Sequence, residues 1–172
     1  RSELQTGDTL QQVIGQQASD YFKVGFGSAL NERMQITNNG IESIRLGTDN
    51  EAFGFQAGHA LASGGNNNTM LGHTAGAVVS TGDNNTIIGS NAGLGLTTSN
   101  ANVLVGYRAM YRATTAADSC VAIGYEALSG NWTTADVDNV VAIGRGALQG
   151  TIDANAGGTV AVGYESMFSN TC

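Results

Sequence analysis

Beyond residue 50 the chain alternates short apolar triplets with longer polar stretches, and the triplets keep phase. Each triplet ends on a glycine: Gly54, Gly72, Gly89, Gly106, Gly124, Gly144 and Gly163. These glycines stand 18, 17, 17, 18, 20 and 19 residues apart. The clearest copies of the unit are 120–128, 140–148 and 159–167. Residues 102–110, 85–93, 68–76 and 50–58 are the same unit with more drift. A fixed period of this size marks a repeat architecture.

Each column of the repeat has its own chemistry. The residue before the glycine is always apolar: Phe53, Leu71, Ile88, Val105, Ile123, Ile143 and Val162. Two residues earlier stand Glu51, Thr69, Thr86, Val103, Val121, Val141 and Val160, mostly β-branched and suited to a pleated strand. Alternation along a strand puts these two columns on one face. The column between them points the other way and is also apolar. Strands apolar on both faces are buried on both. One face is then the interior of a coil. The other needs cover that this chain has little left to supply, and a second copy is the economical source.

The glycine ends the strand with a bend that a Cβ would obstruct. Three residues on stands a small residue: Ala57, Ala75, Ala92, Ala109, Ala127, Ala147 or Ser166. The rest of each period is Asn, Thr, Ser and Gly. A period this short cannot hold a strand, a crossover helix and a return, which takes about 30 residues. It fits one turn of a parallel β-solenoid. Seven such turns predict a body about 30 Å long at ordinary strand spacing.

Upstream the pattern differs. Residues 1–20 are polar and read as a leader or neck, with Leu10, Val13, Ile14 and Gln17 on one helical stripe. Residues 21–26 alternate as a strand. Residues 34–37 and 41–46 flank Asn38-Asn39-Gly40 and predict a β-hairpin. Short strands and hairpin thus occupy 21–49, and the solenoid 50–172.

The tandem units resemble the head repeats of trimeric autotransporter adhesins and the similar repeats of bacteriophage tail fibres. Asn68-Thr-Met-Leu-Gly72, Asn85-Thr-Ile-Ile-Gly89 and Val121-Ala-Ile-Gly-Tyr-Glu-Ala-Leu128 carry the likeness. The lead-in Lys23-Val-Gly-Phe-Gly27, followed by Arg33-Met-Gln-Ile36 and Ser43-Ile-Arg-Leu-Gly47, looks more like the phage fibres. The likeness spans about residues 21–168, with loops longer than in the adhesins. It implies an all-β homotrimer of parallel coils. On that reading the middle column, Ala52, Met70, Ile87, Leu104, Ala122, Ala142 and Ala161, lines the threefold axis. It also implies a tail-fibre segment that mediates host attachment; the alternatives are a bacterial adhesin head and an extracellular filament subunit. Location is then the virion or the cell surface.

Composition narrows the function classes. Charged residues are 12% of 172, about half the usual share, so the surface is mostly neutral polar. Net charge of −7 argues against nucleic acid and against anionic membranes. No apolar run is long enough to span a bilayer as a helix. No signal peptide is visible, and the chain opens at Arg1 without Met, so secretion is not excluded. Zero prolines suits stacked strands, which cannot lose ladder donors. Cys120 and Cys172 are two to three coils apart, too far to bridge within one chain, and Cys120 reads as a small buried apolar residue.

No catalytic constellation stands out. His59 and His73 are the only histidines, and His73 sits in a rim column with Phe55, Ser90, Tyr107, Tyr125, Arg145 and Tyr164. No His, Cys and Asp grouping has metal-ligand spacing. The Gly-Asp-Asn-Asn loop at 82–85 lacks the calcium β-roll pattern. Glu126 and Glu165 share a column with Arg108 and Gly146 and read as a solvated edge. A depolymerase needs a groove with paired carboxylates, and the acids here are scattered. No cofactor is expected. The Asn50, Asn68, Asn85 and Asn102 column stands at the strand entrance, where stacked amides can hydrogen-bond along a ladder or close the preceding turn. Trp132, Tyr107, Tyr111 and Tyr125 are the expected receptor contacts, toward a host-surface glycan or protein, because aromatic side chains commonly anchor interfaces.

Overall fold

The computed structural model describes residues 11–14, 22–26, 31–37, 40–43, 49–61, 64–112, 117–130, 137–150 and 157–168. The chain divides into two compact units, Arg1–Arg45 and Leu46–Cys172.

The first unit is a four-stranded antiparallel sheet in the order β1-β2-β3-β4. Its strands are β1 (Gln11–Ile14), β2 (Phe22–Phe26), β3 (Asn31–Thr37) and β4 (Gly40–Ser43). Val13 and Ile14, expected on a helical stripe, lie in β1, with Ile14 opposite Phe22. Two adjacent β-branched residues favour a strand once a partner is present. Thr37 pairs with Gly40 across β3 and β4; Asn38 and Asn39 lie outside the described residues.

The second unit is a parallel β-solenoid. Seven three-residue strands stack in chain order: β5 (Glu51–Phe53), β6 (Thr69–Leu71), β7 (Thr86–Ile88), β8 (Val103–Val105), β9 (Val121–Ile123), β10 (Val141–Ile143) and β11 (Val160–Val162). The register aligns the sequence columns without slip, from Ala52 beside Met70 to Ala142 beside Ala161. Stacking continues past the strands. Each bend glycine has φ between 128° and 140°. A Cβ on Gly72 would stand 2.7 Å from Gly89 O, so the rungs can approach only through bare glycine.

The inside–outside assignment of the strands is the reverse of the sequence expectation. Met70, Ile87, Leu104, Ala122, Ala142 and Ala161 are buried within the coil of a single chain, and Ala52 packs against the same core. They do not line an axis between copies. The outward columns are those of Phe53, Leu71, Val103, Ile123, Val160 and Val162, all substantially exposed. The reason is geometric. The small residues after the bend, Ala75, Ala92, Ala109, Ala127 and Ala147, are fully buried, so the chain folds back over the middle column.

Core volume is kept by a trade between two columns. In early rungs the strand supplies Met70 and Ile87, and the fourth residue past the bend is Gly76 or Gly93. A Cβ on Gly76 would stand 2.8 Å from Met70 Sδ and 3.0 Å from Ile87 Cδ1. In later rungs the strand supplies only Ala122 or Ala142, and the same post-bend position holds Leu128 or Leu148, both buried. Leu104 and Met110, large in both columns, mark the crossover. Leu128 and Leu148 have φ of 54° and 50°. That left-handed conformation costs about 1–2 kcal/mol for an L-residue. Full burial of a leucine returns about 1.5–3 kcal/mol, which offsets it.

Two polar ladders run along the stack just ahead of the strands. Asn50 Oδ1 accepts from Asn68 N at 2.9 Å and from Asn68 Nδ2 at 2.9 Å. Asn68 to Asn85 and Asn85 to Asn102 repeat the pattern. Each Nδ2 also donates to the carbonyl of the preceding loop of the next rung: Gly65, Gly82, Ser99 and Ala117. These asparagines are buried, and their side-chain oxygens and nitrogens are hydrogen-bonded. A second ladder runs in the opposite sense. Asp83 Oδ1 accepts from Asn66 N, Asn100 Oδ1 from Asp83 N, Asp118 Oδ1 from Asn100 N and Asp138 Oδ1 from Asp118 N, at 2.7–2.9 Å. The sequence reading treated these residues as loop chemistry. In the 82–85 loop, Asp83 Oδ1 is thus engaged by Asn66.

Candidate functional site

The residue after each bend glycine forms an exposed column on the rungs. Backbone bonds hold it in line: Asn91 N donates to His73 O, Arg108 N to Ser90 O, Glu126 N to Tyr107 O, Gly146 N to Tyr125 O and Glu165 N to Arg145 O, at 2.8–3.0 Å. The column therefore reads Phe55, His73, Ser90, Tyr107, Tyr125, Arg145, Tyr164 from rung to rung. Phe55 and His73 stack with ring centres 5.3 Å apart. Tyr107 and Tyr125 stack at 5.2 Å. The Arg145 guanidinium lies 5.6 Å from the Tyr125 ring centre and 5.3 Å from that of Tyr164, and its Nη1 donates to Tyr164 Oη at 2.8 Å. It fills one rung of the stack as a flat cation between two rings.

A charged cluster flanks the stack. Arg108 lies 5.0 Å from the ring centres of both Tyr107 and Tyr111. Its Nη1 reaches Glu126 Oε1 at 3.3 Å, and Gln149 Nε2 donates to Glu126 Oε2 at 2.6 Å. The Glu126 bond holds the Arg108 pKa above its ordinary value. Arg108 Nε has no hydrogen-bond partner and is shut from water; contact with two tyrosine rings is what offsets that loss. Arg145 also pairs with Glu165 at 3.6 Å. Both glutamates expected on a solvated edge thus face an arginine of a neighbouring rung.

Of the four expected contact residues, Tyr107 and Tyr125 stand face to face, and Tyr111 joins them through Arg108. Trp132 lies outside the described residues. Stacking changes what the tyrosines can offer. Rings that cover one another present edges and hydroxyls outward rather than open faces. Arg108, Arg145 and Tyr164 belong to the same surface and were not singled out from sequence. The recurring offset of one residue past the glycine was the signal for Arg145 and Tyr164. Among the described residues no group of three His, Cys, Asp or Glu side chains could hold a metal ion.

The second exposed feature is the outward strand face. Phe53, Leu71, Ile88, Val105, Ile123, Ile143 and Val162 form one in-register apolar column; Phe53 and Val162 at its ends are mostly exposed, and Leu71 and Ile123 are partly so. No protein-family model, curated protein or solved structure matches the chain.

Proposed function

We propose that this chain is a non-enzymatic structural and adhesive segment of a fibre, most closely a phage tail fibre, that acts as a homotrimer in attachment to a host surface. The observation that supports it is the uncovered strand face. The coil has already closed its own core, yet its outward strand face carries an in-register apolar column from Phe53 to Val162, most exposed at its two ends. Scattered exposed apolar residues are ordinary, but a continuous stripe marks an association surface. Three copies meeting through that stripe would shield it and leave the tyrosine–arginine surface and the loops free. Host contact is then made by Tyr107, Tyr111, Tyr125 and Trp132, on a surface glycan or protein.

Sedimentation equilibrium at micromolar concentration tests the assembly: three chain masses are expected, and one would overturn the trimer. Adsorption of the purified chain to bacterial cells tests the attachment role. Trp132→Ala should weaken it with the melting temperature nearly unchanged. Binding to matrix protein instead of bacterial cells would favour a bacterial adhesin head.

A further inference from the structure

The aromatic column lacks a ring or guanidinium at one of its rungs. Every other position from Phe55 to Tyr164 holds an aromatic side chain or a guanidinium, whereas the rung between His73 and Tyr107 holds Ser90. Backbone bonds on both sides keep Ser90 directly between them, at 2.9 Å from Asn91 N to His73 O and 3.0 Å from Arg108 N to Ser90 O. Adjacent rings in this column are 5.2–5.3 Å apart. His73 and Tyr107 are two rungs apart, so roughly 10 Å separates their faces at ordinary strand spacing. That gap admits one ring-thick group between two stacking partners. The same column contains the filled case, Arg145 between Tyr125 and Tyr164.

The walls are accessible. His73 is exposed, and Tyr107 is 38% exposed. Phe55 covers the far face of His73, and Tyr125 the far face of Tyr107. Arg108 is drawn toward Glu126, on the rung away from Ser90.

The floor is polar and held in place. Asn91 Nδ2 donates to Ser90 Oγ at 3.1 Å, and Thr74 Oγ1 donates to Asn91 Oδ1 at 2.9 Å, while also lying 2.8 Å from His73 O. The Ser90 hydroxyl accepts from Asn91, and its own proton has no acceptor among the described residues.

These observations select the occupant. The lining has flat aromatic walls and a hydroxyl and amide floor. No carboxylate stands at the first or second position past the bend on these two rungs, His73-Thr74 and Ser90-Asn91, and Glu126, at the second position two rungs on from Ser90, is engaged by Arg108. Arg108 beside Tyr107 disfavours a second guanidinium in the gap. A neutral ring with apolar faces and a hydroxylated rim satisfies both surfaces. We infer that the Ser90 rung is a subsite for one pyranose ring of a host-surface glycan, inserted edgewise between His73 and Tyr107. This rests on the attachment role proposed above and names the ligand class.

The test is a titration of the full chain, its aromatic rings isotope-labelled, with the methyl glycosides of glucose, galactose, mannose and N-acetylglucosamine, read by NMR. At least one should shift the His73 and Tyr107 ring signals saturably at tens of millimolar or below, while the Tyr164 signals stay still. Ser90→Tyr supplies the missing ring from within. It should keep or raise the melting temperature and weaken that binding by about tenfold or more. Ser90→Ala keeps the gap but loses the hydroxyl, and should weaken binding less. Failure of all four glycosides to shift both rings would overturn the subsite, as would equal binding by Ser90→Tyr. Shifts from guanidinium ion but from no glycoside would overturn the choice of occupant. Adsorption to cells separates the two proposals. Glycoside binding without adsorption would sink the attachment role alone, and adsorption without any ring shift would sink the subsite alone.

Discussion

Cys120 stands at the end of the asparagine ladder and takes over its work in altered form. Its N–H donates to Asn102 Oδ1 at 2.9 Å, as an asparagine N–H does on each earlier rung. Its thiol donates to Val137 O at 2.8 Å, in the place where Asn102 Nδ2 donates to Ala117 O. A thiol is a weaker donor than an amide and offers only a weak acceptor to the next rung. The ladder therefore fades at Cys120, and Val140 follows it with an apolar side chain.

Cys120→Asn should extend the ladder by one rung. The amide can donate to Val137 O and accept from Val140 N–H. A gain of about 0.5–1.5 kcal/mol is expected, read as a higher denaturation midpoint. Cys120→Val should lose about 1–3 kcal/mol, because Val137 O is left buried and unpaired. A midpoint for Cys120→Asn below that of the native chain would mean the rung cannot hold an amide.

Burial pushes the Cys120 thiol up to about 11 from its ordinary 9.0. The folded chain thus keeps a proton that the unfolded chain releases first. The contribution to stability is complete below pH 9.0 and declines as pH rises toward about 11. In a Cys172→Ser background, denaturation midpoints should fall over that window. The fall should shrink when Cys120 is also replaced by Ser. At pH 8 the folded protein should resist thiol reagents at Cys120.

Ala142 and Leu148 occupy the two columns that trade volume inside the coil. Ala142→Leu should overpack the core by about 1–3 kcal/mol. Combined with Leu148→Gly, which empties the facing space and relieves a φ of 50°, the loss should be smaller than the two single losses added together. Additive losses in chemical denaturation would show that the two positions do not share one space.

Ile123→Lys places a charge in the middle of the outward strand face. The side chain is 36% exposed, so the coil itself should tolerate the change. Assembly through that face should not, because each copy would bring a lysine to the same contact. Far-UV circular dichroism is expected to stay near native while sedimentation mass falls to one chain. Retained association would move the contact surface elsewhere.

Much of this protein is legible in its sequence. The glycine period marked out β5–β11 to the residue, since only glycine allows successive bends to touch at the approach of Gly72 to Gly89. The Asn50–Asn102 column was legible as structural, with ladder and turn closure both open; each amide does both, because it can donate twice and accept at once. Tyr107 and Tyr125 were legible as members of one column. What stayed hidden was decided by how the chain folds back after each bend. Strand alternation makes Ile87 and Ile88 equally apolar and opposite in direction, and nothing local says which faces inward. The buried alanines after the bend settle it, and with them the exchange of Met70 and Gly76 for Ala122 and Leu128. The opposed Asp83–Asp138 ladder and the ringless rung at Ser90 are likewise relations between residues 17 to 20 apart. Local pattern determines the repeat; only stacking determines what each repeat meets.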